Sequence, residues 1–347
     1  MPNIAAGLSA DVTLPIKAET DNDAEWLVNV QLQLKEQTLW AEEGYAVAED
    51  QFELVKRPSL ASHYAEGGQL SVSGQTVSGT TADGKAFAVS FSNGKMTSWK
   101  FDGENIIAQG PDFNSYRKVD NDRNFSPDFT NSTSVSVTGA LAKSGNNATM
   151  SVSGYAYSCS YTIDYTFYAD ATVDMKVTFS PSGNLARMGL GMQFAEGMED
   201  VEYYGRGPWS NYSDRKTGSF LGRYQTTVDD MVDEMIHPQT YGDHQDMRDL
   251  TLRNLTNGLS LNVQTEGQVS FSLGHYDETR WCTYGDSMWN SQLHWYDLSR
   301  DPQIYAHFDY FQRGLGNNSC GGDSCLSEYT CPSWGSYSYT LRFTPTK

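Results

Sequence analysis

Apolar and polar residues alternate with period two along most of the chain, and the alternation predicts strands. Residues 9–17 (SADVTLPIK), 25–34 (EWLVNVQLQL) and 45–54 (YAVAEDQFEL) each put their apolar side chains on one face of an extended segment. That is how a half-buried strand of a sandwich reads, so three strands are expected here. The pattern then breaks in VKRPSLASHYAEGGQ, which carries Pro, Ser and Gly and predicts a linker, set at residues 57–63.

From Leu70 onward short alternating runs recur, separated by turn signals. TADGK and FSNGK hold Asp83-Gly84 and Asn93-Gly94, dipeptides that accept the positive φ of a tight hairpin. Further strand-like runs follow at TSVSVTGALA, TVDMKVTFSP, LSLNVQT, VSFSLGHY and SYSYTLRFTP. So many antiparallel strands predict a large two-layer sandwich, because a twisted open sheet of that size splits into layers. Only TTVDDMVDEM and SQLHWYDL are expected to hold short helical turns.

Composition agrees: 21 Tyr, 15 Phe, 8 Trp and 31 Gly in 347 residues favour β structure. A net charge of −19 argues against nucleic acid and anionic membranes as partners, since both need clustered Lys and Arg. No stretch of about 18 apolar residues is present, and MPNIAAGLSADV lacks the basic start and apolar core of a signal peptide. A soluble chain is expected, cytoplasmic or periplasmic. Five cysteines form no CxxC pair, which disfavours zinc. Free structural thiols are expected, with a disulfide among Cys320, Cys325 and Cys331 as the alternative.

Candidate chemistry gathers in three patches: NSYRKVDNDRN (114–124), YYGRGPWSNYSDRKTG (203–218) with HPQTYGDHQDMRDLTL (237–252), and HFDYFQRGLGNNSCGG (307–322). Arg, Asp, Asn and His among aromatic rings suit a sugar, whose hydroxyls need fixed polar partners and whose apolar face needs a platform. The same residues could equally pair with one another to pin long loops. No nucleophile elbow or phosphate loop is present. Among 43 acidic residues a catalytic carboxylate pair cannot be chosen without geometry.

These patches resemble, in the right order, the motifs of the C-terminal domain of the large β-galactosidases of glycoside hydrolase family 2, the small chain of the split forms. QTLWAEEGYAVAEDQFEL (37–54) resembles the end of the immunoglobulin-like domain that precedes it. The resemblance implies an all-β fold: a large antiparallel β-supersandwich, galactose mutarotase-like, over residues 64–347, after half of an immunoglobulin-like sandwich over 1–56. It also implies that the catalytic carboxylates belong to a (β/α)8 barrel, absent from this sequence, so the chain alone is expected to be inactive. The implied partners are a galactoside and the barrel portion of the same enzyme, with self-association left open. No cofactor is expected in this chain, as the family's Mg and Na belong mostly to the barrel. Substrate-binding positions carried over are Arg117, Asp120, Asn121, Asp122, His244, Asn318 and Cys320. Cys320 stands where better-studied members carry Trp, so Trp281, Trp289 or Trp295 is expected to substitute, or the platform is missing. The stretch 203–215 is expected to be a rigid corner, with Gly205 and Gly207 allowing a bend and Arg206 and Arg215 bonded to carbonyls or Asp214. The alternatives are an independent aldose 1-epimerase and a stand-alone carbohydrate-binding module.

Overall fold

The computed structural model describes residues 3–18, 24–119, 122, 133–281, 294–316 and 325–347. The chain divides into two compact units, Met1–Leu60 and Ala61–Lys347.

The first unit holds two antiparallel strands, β1 (Trp26–Gln33) and β2 (Ala46–Val55), with Val28 opposite Phe52 and Val30 opposite Asp50. No residue of this ribbon is buried, and Leu32, Val47, Phe52 and Leu54 are exposed. The strand expected at 9–17 does not form. Alternation sets which face a side chain takes, but a strand also needs a backbone partner, and Pro15 removes one donor besides. Val12, Leu14 and Ile16 are exposed.

The second unit is almost entirely strand. It begins with β3 (Gln69–Ser73), β4 (Thr76–Thr80), β5 (Ala86–Ser92), β6 (Lys95–Phe101) and β7 (Glu104–Asn105), a five-stranded meander. Asn93 and Gly94 turn the β5–β6 hairpin at positive φ, as their dipeptide predicted. There follow β8 (Ile107–Asn114), β9 (Ser134–Ser144), β10 (Asn147–Ala156), β11 (Cys159–Phe167), β12 (Val173–Pro181), β13 (Arg187–Phe194), β14 (Asp200–Gly207) and β15 (Phe220–Thr227). The last strands are β16 (Asp249–Arg253), β17 (Ser260–Glu266), β18 (Ser270–Gly274), β19 (Ile304–Gln312) and β20 (Tyr337–Thr346). Nine strands make one sheet, ordered β15-β14-β16-β17-β20-β12-β11-β10-β9, and four make another, β18-β19-β13-β8.

The nine-stranded sheet carries the core on one face. Tyr161, Ile163, Tyr165 and Phe167 of β11, and Val173, Met175, Val177 and Phe179 of β12, are buried on every second residue. Rings from both smaller sheets meet this face. Phe113 of β8 stacks on Tyr161 at 5.4 Å, Phe91 of β5 meets Tyr165 at 5.2 Å, and Trp99 of β6 meets Phe343 of β20 at 5.7 Å. The architecture is a large antiparallel sandwich with a divided second layer.

One departure from simple alternation positions the site. All five residues of β18 and the first four of β13 are buried, so this part of the four-stranded sheet is covered on both faces. The segment 240–247 runs along the free edge of β18, where His244 and Phe271 exchange backbone hydrogen bonds. Single 3-10 turns occur at Asp229–Met231 and Trp295–Asp297, where helical turns were expected. Glu278–Trp281 forms a helical turn and Ser327–Tyr329 a 3-10 turn that the sequence did not announce.

Candidate functional site

The three polar patches come together at one end of the four-stranded sheet. Arg117, 1% exposed, lies beyond the end of β8. Its Nε and Nη2 donate to the Asp122 carboxylate at 2.9 and 3.2 Å, and Nη2 also donates to the Gly314 carbonyl at 2.9 Å. Nη1 donates to the carbonyl of Arg313, whose own guanidinium pairs with Asp122. The first and third patches are therefore tied through one buried cluster. Lys118 and Thr240 exchange backbone and side-chain hydrogen bonds (2.8 and 2.9 Å), which adds the second patch.

Asp214 closes the arrangement. Its carboxylate accepts the backbone amides of Leu315 at 3.1 Å and Gly316 at 2.6 Å. A Cβ on Gly314 would stand 2.4 Å from that carboxylate, so only glycine allows the approach. Around it the stretch 203–218 is rigid, though not by the expected means. Gly205 and Gly207 lie inside β14, paired with Gly222 and Phe220, and make no bend. Gly207 is instead needed because a Cβ would meet the Tyr203 hydroxyl at 2.3 Å. The rigidity comes from Asn211, whose amide donates to the Arg206 and Trp209 carbonyls and accepts from the Gln245 amide at 2.9 Å. Arg206 bonds the Ser219 carbonyl and Asp246, and Arg215 bonds the Ser210 carbonyl.

His244 is 2% exposed and fits tightly into this wall. Its Nδ1 lies 2.9 Å from the Gly242 carbonyl, its Nε2 3.5 Å from the Pro208 carbonyl, and its ring stacks on Phe271. Burial holds its pKa below the usual histidine range.

Behind this rim, the outer face of the four-stranded sheet carries ionisable groups. Arg187, fully buried, pairs with Asp309 at 3.3 Å and with Glu278 at 3.8 Å. Burial pushes the Asp309 carboxyl up to about 7 and that of Asp243 up to about 6, against the pull of Arg187 and Arg117. Glu278 is raised by the same cause, although Arg187 and a 3.0 Å hydrogen bond from Thr240 oppose it. His307 is held well below the histidine range, by burial first and by Arg187 second. Next to this layer lies a cleft of about 300 Å³ lined by Asn114, Tyr116, Gly191, Glu278, Tyr305 and His307, among others.

A family model described as β-galactosidase small chain matches residues 81–343, and one described as β-galactosidase domain 4 matches residues 1–55. The chain belongs to the β-galactosidase small-chain family. Relatives include β-galactosidases of Priestia megaterium, 27% identical over 99% of this chain and 34% of that protein, and of Psychromonas ingrahamii, 24% identical over 88% and 31%. The chain thus spans about a third of the length of these relatives. A galactose 1-epimerase from Lactobacillus acidophilus NCFM is similar in structure with a TM-score of 0.41 at 9% identity, over 93% of this chain and 99% of that one. That likeness is too distant to bear on chemistry.

Within this small-chain domain the carried-over positions divide. Arg117, Asp122 and His244 are buried and have partners inside the protein. Asp120, Asn121, Asn318 and Cys320 lie outside the described residues, as does Trp289; for Trp281 only the backbone is described. Trp295 meets Tyr276 edge to face at 4.9 Å. Cys325 and Cys331 are free, buried thiols. Sequence reasoning missed Arg187 and Glu278. Arg187 opens the apolar run RMGLGMQF, and a charged residue there signals a buried pair only if its partner is known; Asp309 is 122 residues away in sequence. Among the described residues no group of His, Cys, Asp and Glu is arranged to hold a metal, and no helix is long and apolar enough to cross a membrane.

Proposed function

We propose that this chain is the non-catalytic C-terminal portion of a β-galactosidase and that it caps the active site of a (β/α)8 barrel acting on terminal β-galactosides. One observation carries the reading: three segments distant in sequence are fixed to one rim by Arg117, Asp122, Arg313 and Asp214. A surface built only for solubility does not need loop stems held by buried ion pairs, whose desolvation must be offset by good geometry. A surface that completes another body's active site does, because small displacements there cost rate. The chain's own buried acids sit with Arg187 beneath the rim. Hydrolysis is therefore left to the two barrel carboxylates, placed about 5 to 5.5 Å apart in a retaining enzyme.

The test uses an aryl β-galactoside. The purified chain alone gives no turnover above buffer, and co-expression with the matching barrel portion gives turnover that barrel alone lacks. Hydrolysis by the chain alone overturns the reading, and so does a barrel portion indifferent to its presence. Accelerated anomer exchange of D-galactose by the chain alone would favour the epimerase alternative.

A further inference from the structure

We propose that the cleft over Gly191, on the outer face of the four-stranded sheet, binds a neutral monosaccharide at a site of its own. The inference goes beyond the capping role, since it concerns the concavity beside the loop rim that β13, β8 and β19 build.

The concavity is made by missing side chains. On β13, Gly189 and Gly191 take the alternate positions that face outward, opposite Asp309 and His307 of β19 and Asn114 and Asp112 of β8. A Cβ on Gly189 would stand 2.1 Å from Asp309 Oδ1, and one on Gly191 would stand 3.1 Å from Asn114 Nδ2 and 3.5 Å from His307 Nδ1. Gly191 thus offers bare backbone as the floor of the cleft, while Asn114 and His307 of the flanking strands lean over it; Gly189 is covered by Asp309. The resulting volume of about 300 Å³ is at the small end of ligand pockets.

The lining selects the ligand class. Its carboxylates are already committed: Asp112 pairs with Lys95 at 2.5 Å and accepts from Tyr161, and Glu278 accepts from Thr240 and faces Arg187. Nothing there calls for a cation. An anion meets acidic side chains at Asp112, Asp277 and Glu278, and the cations beside them, Lys95, Arg280 and Arg187, are already paired with those same carboxylates. Among the described residues lining the cleft, the two buried side-chain atoms without a hydrogen-bond partner are on neutral groups, Asn114 Oδ1 and His307 Nδ1. Both side chains end on broad two-fold torsions, so a small rotation brings each atom to a hydroxyl in the cleft. Buried polar atoms of this kind cost stability until satisfied, and a ligand rich in O–H groups satisfies them. The rings of Tyr116, Tyr276 and Tyr305 supply apolar surface, with Tyr305 fixed by its 2.8 Å bond to Asp301. A pyranose combines hydroxyls at its edge with an apolar face, and the cleft matches that combination.

The experiment is calorimetric titration of the full chain with D-galactose, D-glucose and D-glucuronate. Saturable binding of at least one neutral hexose is expected, with glucuronate at least tenfold weaker. Asn114→Ala weakens hexose binding about tenfold, and Gly191→Leu, which fills the floor, abolishes it. Thermal melting checks that both variants fold, and Asn114→Ala alone suffices if Gly191→Leu does not. No saturable hexose binding up to about 0.1 M overturns the proposal. So does hexose binding that Asn114→Ala leaves unchanged, which places the sugar elsewhere, and so does binding of glucuronate as tight as that of the hexoses. Failure of the cap reading is distinguishable, because turnover with the barrel portion is measured separately and Gly191→Leu is expected to leave it intact.

Discussion

Arg187 and Asp309 face each other across adjacent strands with Nε 3.3 Å from Oδ2, and neither side chain has any exposure to solvent. Arg117, Arg187 and Arg313 stand near Asp122, Asp243, Glu278 and Asp309, three cations among four acids. Burial raises three of these carboxyls, Asp243, Glu278 and Asp309, the last to about 7.

The sign of the pH effect follows. A carboxyl whose folded pKa is raised keeps its proton in the native state after the unfolded chain has lost it, so its contribution falls as pH rises from about 4 to about 7. Asp309→Asn mimics the protonated form at every pH. Relative to the variant, the wild-type chain is expected to lose at least about 1 kcal/mol, a few degrees in Tm, between pH 5 and pH 8. The check is a set of melting curves across that range; a constant difference would show that Asp309 is ionised throughout. His307 and His244 act in the opposite direction and cancel from the comparison, since both chains carry them.

Removing Asp122 leaves Arg117 and Arg313 buried without their shared carboxylate. Asp122→Ala is expected to cost about 3 to 5 kcal/mol, against less than about 1 for a mutation of the exposed pair Arg280–Asp277. Denaturant titration of both variants measures the contrast, and equal small losses would mean that the buried cluster is dispensable.

Asp214→Ala tests the loop stem without disturbing the core. Amide exchange at Leu315 and Gly316 is expected to quicken, while exchange in β13 and β19 stays unchanged. Unaltered exchange at both amides would show that the carboxylate does not hold them.

The all-β character, the two-layer sandwich and the hairpin at Asn93-Gly94 were legible because period-two alternation and turn chemistry are local signals. The failed strand at 9–17 shows the limit, since alternation says nothing about whether a partner ladder exists. At the site, the patches around Arg117, Tyr203 and His307 were visible as composition, while their convergence on one rim followed from the family resemblance and not from the residue pattern itself. Convergence depends on pairings such as Arg117 with Arg313 and Gly314, almost 200 residues apart. Arg187 and Glu278 escaped notice because a charge inside an apolar run looks the same whether its partner is a distant carboxylate or water.

Glycines in YYGRGPWSNYSD and MGLGMQF give the last prediction, because two similar G-x-G spacings serve different ends. In β14, a Cβ on Gly205 would find its nearest neighbour, Met247 Cα, at 3.4 Å, an ordinary contact, and no positive φ is required there. Gly205→Ala should be neutral or stabilise by up to about 1 kcal/mol through the unfolded chain. In β13, a Cβ on Gly189 would lie 2.1 Å from Asp309 Oδ1 and 2.4 Å from the Phe308 carbonyl, and the latter cannot rotate away. Gly189→Ala must push β19 back or unseat the Arg187 pair, and a loss of roughly 2 kcal/mol or more is expected. Chemical denaturation of the two single-alanine variants decides it. If Gly189→Ala proves as harmless as Gly205→Ala, then β13 and β19 do not approach as closely as the Asp309 and Phe308 contacts require.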